Sequence, residues 1–212
     1  MDTKFLTIGL LITAALFTLG SGCGKNNDGS KPCSGGRYSF EVTSEFSTQR
    51  EVYNLGDTIF LNSTFSKTLY DNISQKNIDY SNSLGIGGNF NTAKMDTVNH
   101  IAVEGLDNFE IVNFIGSTSP KNISPNSGIN ILFSESQLNY SFKLGIKLKS
   151  KGLFYIGVTD LGSQGLTGKD CTNAGLAMTV TNTNKNINLF QYALNYTPDA
   201  MLQKSIYCFR VR

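Results

Sequence analysis

The stretch Leu138-Asn-Tyr-Ser-Phe-Lys-Leu-Gly-Ile-Lys-Leu148 decides the fold class. Leu138, Tyr140, Phe142, Leu144, Ile146 and Leu148 share one face, and Asn139, Ser141, Lys143, Gly145 and Lys147 share the other. A period of two with one apolar and one wet face is the signature of an antiparallel sheet. A helix would scatter the six apolar residues around its circumference. Lys149-Ser-Lys-Gly152 follows, and Gly152 offers the positive φ that a hairpin loop needs. The spacing predicts a partner strand over Leu153–Thr159. Phe154, Ile156 and Val158 on one side of it and Tyr155 on the other make it apolar on both faces, as an interior strand is.

Working outward, Tyr38-Ser-Phe-Glu-Val42 alternates in the same way, and Ile59, Leu61 and Phe65 do so less regularly. Further strands are expected near Leu84–Phe90, Asn99–Leu106, Phe109–Ile115, Ile129–Ser134, Leu176–Thr181 and Ser205–Val211. Pro120 and Pro125 bracket a polar loop, Ser117–Ser127. Asn184–Leu194 fits either a short helix capped by Asn184 or another strand. Many short strands separated by turn signals predict an all-β fold, an antiparallel β-sandwich.

Composition narrows the function classes. In 212 residues, 18 Lys+Arg face 16 Asp+Glu, a net charge of +2. Nucleic-acid proteins held by phosphate contacts need a concentrated basic field, so no nucleic-acid partner is expected. The run Phe5–Phe17 is apolar and uncharged, too short to span about 30 Å of hydrocarbon but suited to the core of a secretory signal. Lys4 precedes it, and Gly20, Ser21 and Gly22 follow it, just ahead of Cys23.

Leu19-Gly-Ser-Gly-Cys23 resembles the lipobox of bacterial lipoproteins, with Gly20 where that family prefers Leu. The resemblance implies cleavage before Cys23, which would carry a diacylglyceryl group and an acylated amine. Several acyl chains make attachment effectively permanent, where one alone is reversible. The expected organisation is a signal peptide over 1–22, the lipidated cysteine and a flexible tether over 23–36, and the sandwich over 37–212. The tether expectation rests on Gly24–Gly36, which has almost no apolar side chains with which to offset the entropy of ordering. Tyr53-Asn-Leu-Gly-Asp-Thr-Ile-Phe-Leu61 is similar to the turn that enters an early strand of bacterial immunoglobulin-like domains. With the opening Gly36-Arg-Tyr-Ser-Phe-Glu-Val42 and the ending Tyr207-Cys-Phe-Arg-Val211, the chain resembles exported lipoproteins of the Bacteroidota. That resemblance implies a lipid-anchored place in the bacterial cell envelope, at the outer membrane, with the face undetermined, and implies no activity.

Cys33, Cys171 and Cys208 remain in an oxidising compartment. A Cys171–Cys208 disulfide is expected, worth about 3.5–4 kcal/mol on the chain-entropy model. Cys33–Cys208 is the alternative, and would tie the first strand to the last.

No motif assembles a catalytic constellation. His100 is the single histidine and reads as a strand residue. No G-x-S-x-G elbow names a nucleophile. Gly85-Ile-Gly-Gly88 lacks a following helix and reads as a strand-end turn or bulge rather than a phosphate cradle. Asp160–Asp170 has carboxylates at both ends but lacks the alternating acids of a calcium loop, and reads as a mobile loop. No metal and no cofactor are expected. Tyr70, Tyr80 and Tyr196 are candidate exposed rings for stacking on sugar or peptide. The expectation is a non-catalytic binding or structural protein, not an enzyme, whose partners are the membrane, through its lipid, and an unknown envelope protein or glycan. A carbohydrate- or peptide-binding component of an uptake system and a hydrolase are the alternatives.

Overall fold

The computed structural model describes residues 38–47, 49–181 and 184–212. The chain divides into two units, Met1–Ser34 and Gly35–Arg212, and all the described residues belong to the second. The expected signal peptide, the expected tether, Cys23 and Cys33 lie outside the described residues.

Among the described residues, fifteen strands and two short α-helices follow in chain order: β1 Tyr38–Ser47, β2 Val52–Tyr53, β3 Thr58–Ser66, β4 Thr68–Asp71, β5 Lys76–Asp79, β6 Ile86–Asp96, β7 Ile101–Glu104, β8 Phe109–Ile115, β9 Ser117–Pro120, β10 Gly128–Leu132, β11 Ser134–Glu135, β12 Asn139–Leu148, β13 Gly152–Ser163, β14 Ala174–Val180, α1 Ile187–Leu194, α2 Ala200–Ser205 and β15 Ile206–Val211. The first sheet runs β9-β10-β6-β13-β14-β1, with β15 beside β13, β2 beside β15, β7 beside β6, and the β4–β5 hairpin beside β1. The second holds β3 and β12, with β8 and β11 on the far side of β12. The all-β sandwich expected from the sequence is the fold observed, but its sheets are mixed rather than purely antiparallel, with β1 parallel to β14 and β2 parallel to β15.

One strand belongs to both sheets. Tyr38–Ser44 of β1 run parallel to Ala174–Val180 of β14, and Glu45–Ser47 then pair antiparallel with β3. Phe40, Val42 and Phe46 along β1 are all buried in the core between the sheets. From β12, Tyr140, Phe142, Leu144, Ile146 and Leu148 join them, as the alternation predicts. Leu138 does not: it precedes the strand and is 74% exposed. Each large apolar side chain in this core contributes about 1.5–3 kcal/mol.

The segment after β12 is not a hairpin. β12 pairs with β3, β8 and β11, whereas β13 pairs with β6, β14 and β15, so residues 149–151 carry the chain from one sheet to the other. β13 is nonetheless interior and apolar on both faces. Phe154, Ile156 and Val158 enter the sandwich core, and Leu153 and Tyr155 enter a second cluster beneath α1. That cluster also settles the Asn184–Leu194 ambiguity in favour of a helix, because Leu189, Phe190, Ala193 and Leu194 lie on one helical face and are buried. Asn186, at φ +50, precedes the helix; Asn184 accepts a bond from its N–H at 3.2 Å. The Asn54–Asp57 turn forms as read: the Asn54 N–H donates to Asp57 Oδ2 at 2.9 Å, and Gly56 takes φ +89. Leu161–Ser163 are strand, so the expected 160–170 loop is shorter than its composition suggests.

Cys208 corrects the disulfide expectation. It is a free thiol, fully buried in the cluster with Met95, Leu153 and Phe190, so neither Cys171–Cys208 nor Cys33–Cys208 forms. Its strand position turns it outward from the sandwich, under α1, while Cys171 lies in the turn before β14 at φ +59. Cys171 is itself not free.

Buried polar groups fix the strand ends. Tyr207 Oη donates to the Arg50 carbonyl at 2.6 Å and lies 2.9 Å from Tyr53 Oη, which holds the β1–β2 connection against β15. Asp71, 1% exposed, accepts from the N–H groups of Ser39 and Ser74 at 2.8 Å and of Ile73 at 3.3 Å.

Two predictions follow from these buried groups. Burial pushes the Cys208 thiol up to about 12, so the thiolate is scarce at neutral pH. Alkylation followed by mass spectrometry should leave Cys208 unlabelled in the native protein and label it on denaturation; rapid native labelling would contradict the packing. For Asp71, burial opposes ionisation, but the Ser39, Ser74 and Ile73 donors outweigh it and hold the carboxyl below its ordinary range. A depressed folded value means stability present in full above the unfolded pKa of about 3.9 and lost as pH falls through the folded value. Asp71→Ala should therefore cost about 2 kcal/mol at pH 7 in urea unfolding, with the difference from wild type shrinking toward pH 3. A difference independent of pH would refute this role.

Candidate functional site

The outer face of the first sheet carries a row of polar side chains that the core does not use. On β10, Ile129 and Ile131 enter the core, which turns Asn130 outward; on β6, Phe90 does the same for Asn89. On β13, Val158 points in and Thr159 out. The register aligns Ser119 with Asn130, Asn130 with Asn89, and Asn89 with Thr159. Four adjacent strands thus present one hydroxyl or amide each, spaced about 4.8 Å apart.

A β-bulge completes the row. The β6–β13 register shifts between Thr159 and Gly162, and Asp160 takes φ +53 within the shift. A left-handed backbone at a residue other than glycine is a cost that functional sites often carry. Asp160 Oδ2 accepts from Asn89 Nδ2 at 2.9 Å and from the Thr159 hydroxyl at 3.0 Å. Asn91 Nδ2 donates to Thr159 Oγ1 at 2.7 Å, and Lys121 Nζ donates to Asn91 Oδ1 and Ser127 Oγ, both at 3.1 Å. The polar groups are therefore locked by one another before any ligand arrives.

Two clefts touch the row at its Thr159 end, and Ser119, Asn130 and Asn89 line neither. One, of about 390 Å³, lies over Asn91, Ala93, Tyr155 and Thr159, with Lys121 and Glu104 on its rim. The other, of about 270 Å³, lies between β13, β14 and α2, with Glu41, Asp160, Asp199 and Lys204 on its walls. Thr159 and Leu202 line both. Tyr155 packs on Phe190 at 5.5 Å between ring centroids, and burial raises its phenol pKa. The array can orient a ligand by hydrogen bonds from fixed donors and acceptors.

The residues singled out from sequence fall mostly elsewhere. His100 sits in the β6–β7 turn at φ +54 rather than on a strand, and its Nδ1 donates to the Ala193 carbonyl at 2.9 Å, which ties that turn to the last turn of α1. Tyr80 is not exposed: it is fully buried, and its hydroxyl donates to the Thr172 carbonyl at 2.7 Å. Tyr70 and Tyr196 are exposed but line neither cleft, the first bonded to Gln75 and the second edge-on to Phe190. Gly87 and Gly88 lie inside β6, where a Cβ would meet the Ile131 carbonyl at 2.6 Å and the Thr159 carbonyl at 2.8 Å; close backbone approach is why glycine stands there. Asp160 belongs to the array and Asp170 is exposed in a turn apart from it. Among the described residues, no group of three or more His, Cys, Asp or Glu is placed to hold a metal ion. Asn89, Asn91 and Asn130 are not among the residues that the sequence singles out. The available signal is Asn89-Phe-Asn91 inside a strand, where asparagine is disfavoured.

The second sheet presents a different surface. Phe60 and Phe114 lie 5.7 Å apart over Gly145, with Lys143 Nζ 5.4 and 5.6 Å from their centroids. A Cβ at Gly145 would come within 2.9 Å of Phe114.

No family model and no curated sequence matches the chain. Among solved structures it is similar to a cohesin module from a Clostridium perfringens family 33 glycoside hydrolase, at 10% identity and a TM-score of 0.34, covering 65% of this chain and 98% of that one. It is also similar to a type II cohesin dyad from the adaptor ScaA scaffoldin of Acetivibrio cellulolyticus, at 11% identity and a TM-score of 0.30, covering 66% of this chain and 46% of that one. A third is the C-terminal domain of the Streptococcus agalactiae AgI/II polypeptide BspA, at 12% identity and a TM-score of 0.28, covering 65% of this chain and 50% of that one. Superpositions at this level decide neither function nor partner.

Proposed function

We propose that the chain is a lipid-anchored protein of the bacterial cell envelope, at the outer membrane, with a non-catalytic binding role exercised through the outer face of its first sheet. The observation that carries the binding role is the locked array of Asn89, Asn91, Lys121, Thr159 and Asp160. One of them, Asp160, stands in a left-handed backbone conformation. In this reading, residues aligned this way hold a ligand in place.

Anchoring rests on the Leu19–Cys23 resemblance to a lipobox. No helix among the described residues is long and apolar enough to cross a membrane. In this reading, acyl chains on Cys23 supply attachment and the sandwich supplies recognition.

The full chain expressed with its signal should sediment with purified membranes and resist high-salt extraction, while Cys23→Ser should move to the soluble fraction and lose the acyl mass. Equal sedimentation of both forms would overturn the anchoring reading.

A further inference from the structure

We propose that β8 pairs with β8 of a second copy of this chain, antiparallel and about a two-fold axis at Val112, so that the second sheets of the two copies become one. This surface is apart from the polar row of the first sheet, and the proposal does not depend on the binding role above.

The first observation is an open edge. Among the described residues, β8 pairs with β12 alone. Leu148 accepts from the Gly56 N–H and donates to the Asp57 carbonyl, on the β3 side of β12, whereas the Lys149 N–H donates to the Asn108 carbonyl, on the β8 side. Hydrogen-bond direction alternates along a strand, so Glu110 and Val112, opposite Lys147 and Gly145, turn their backbone groups toward β12. The N–H and C=O groups of Ile111 and Asn113 then face the open side. Such a row selects an extended strand as its occupant.

The second observation separates β8 from the other short outer strands. β9 ends on Pro120, β5 has four residues and begins on Lys76, and β7 has four and ends on Glu104. Proline, charge and shortness all blunt an edge. β8 runs for seven residues, Phe109-Glu-Ile-Val-Asn-Phe-Ile115, with neither proline nor lysine, and it exposes Val112, Phe114 and Ile115. Its register against β12 shifts only past Asn113, beyond the residues that would pair.

The third observation is that the strand complements itself. With Val112 on the axis, Ile111 and Asn113 of each copy exchange backbone bonds with Asn113 and Ile111 of the other, and every open group named above is satisfied. An axis at Ile111 would instead enlist Phe109, whose N–H already donates to the Leu106 carbonyl. On the outer face Val112 then meets Val112, and Glu110 of the second copy lies opposite Phe114. Lys143 Nζ stands 5.6 Å from the Phe114 ring centroid, so that Glu110 arrives beside a cation. The two-fold axis makes this contact twice and opposes no like charges. A foreign strand would use the same backbone groups, but here the chain itself supplies the acid that meets Lys143.

The test is sedimentation equilibrium of the full chain in density-matched detergent, from micromolar to submillimolar concentration. A monomer–dimer equilibrium is expected. Val112→Lys, which sets two ammonium groups together on the axis, should weaken the dimer about tenfold or more with little change in thermal midpoint. Glu110→Lys should weaken it about threefold or more, and Lys143→Glu added to it should restore the dimer. Under copper–phenanthroline oxidation Val112→Cys should link two copies, because facing residues of a non-hydrogen-bonded pair hold their Cα atoms about 4.5 Å apart. Val98→Cys, exposed in the β6–β7 turn, should not. A monomer at every concentration would leave the edge to a strand of some other chain and overturn the proposal. A dimer indifferent to Val112→Lys, or linked as readily through Val98→Cys, would place the contact elsewhere and overturn it too.

Discussion

The sandwich depends on β1 changing partners partway along its length. Seven residues of β1 supply the parallel register for β14, whose other strand partner among the described residues is a two-residue contact with β13. Three further residues then start the second sheet against β3. Because side chains alternate along a strand, the same run that places Phe40 and Val42 inside the first sheet places Phe46 inside the second. A slip of one residue would turn all three to solvent, so the register is held by the core itself. Asp71 adds a second restraint, since its carboxylate binds the Ser39 N–H and ties the β4–β5 hairpin to the strand.

This closure explains where the polar array lies. With the inner faces of both sheets committed to one core, each sheet has one outer face left. α1 covers part of the first sheet with Phe190 and Leu194 over Leu153 and Cys208. The uncovered remainder, over β9, β10, β6 and β13, carries asparagine, serine and threonine in register. The bulge at Asp160 belongs to the same economy: a shift of register in β13 turns one carboxylate outward to meet Asn89 and Thr159.

Alternation alone made much of this legible. The Leu138–Leu148 stretch identified a sheet with one buried face, and Tyr140 to Leu148 occupy that face. The double-sided apolar character of Leu153–Thr159 identified an interior strand, though the reason it is covered on both sides lies in α1. Connectivity was not legible, because a short polar link with a glycine serves equally as a hairpin or as a crossing between sheets, and only tertiary pairing separates the two. Cysteine pairing failed for the same reason: sequence separation says nothing of direction, and Cys208 points into an apolar cluster. The candidate site was the least legible part. Its residues come from four strands and the segment after β9, and what marks them is alignment across strands, which periodicity along one strand does not reveal.

The account stands on β1 as the closing strand, and native-state hydrogen exchange tests that directly. If β1 closes the sandwich, amides of β1 and β14 should exchange only through global unfolding, with the same free energy of opening as those of β12 and β13. Exchange from β1 and β14 that is about a hundredfold faster than from β12 and β13 would show a separable edge, and would contradict it.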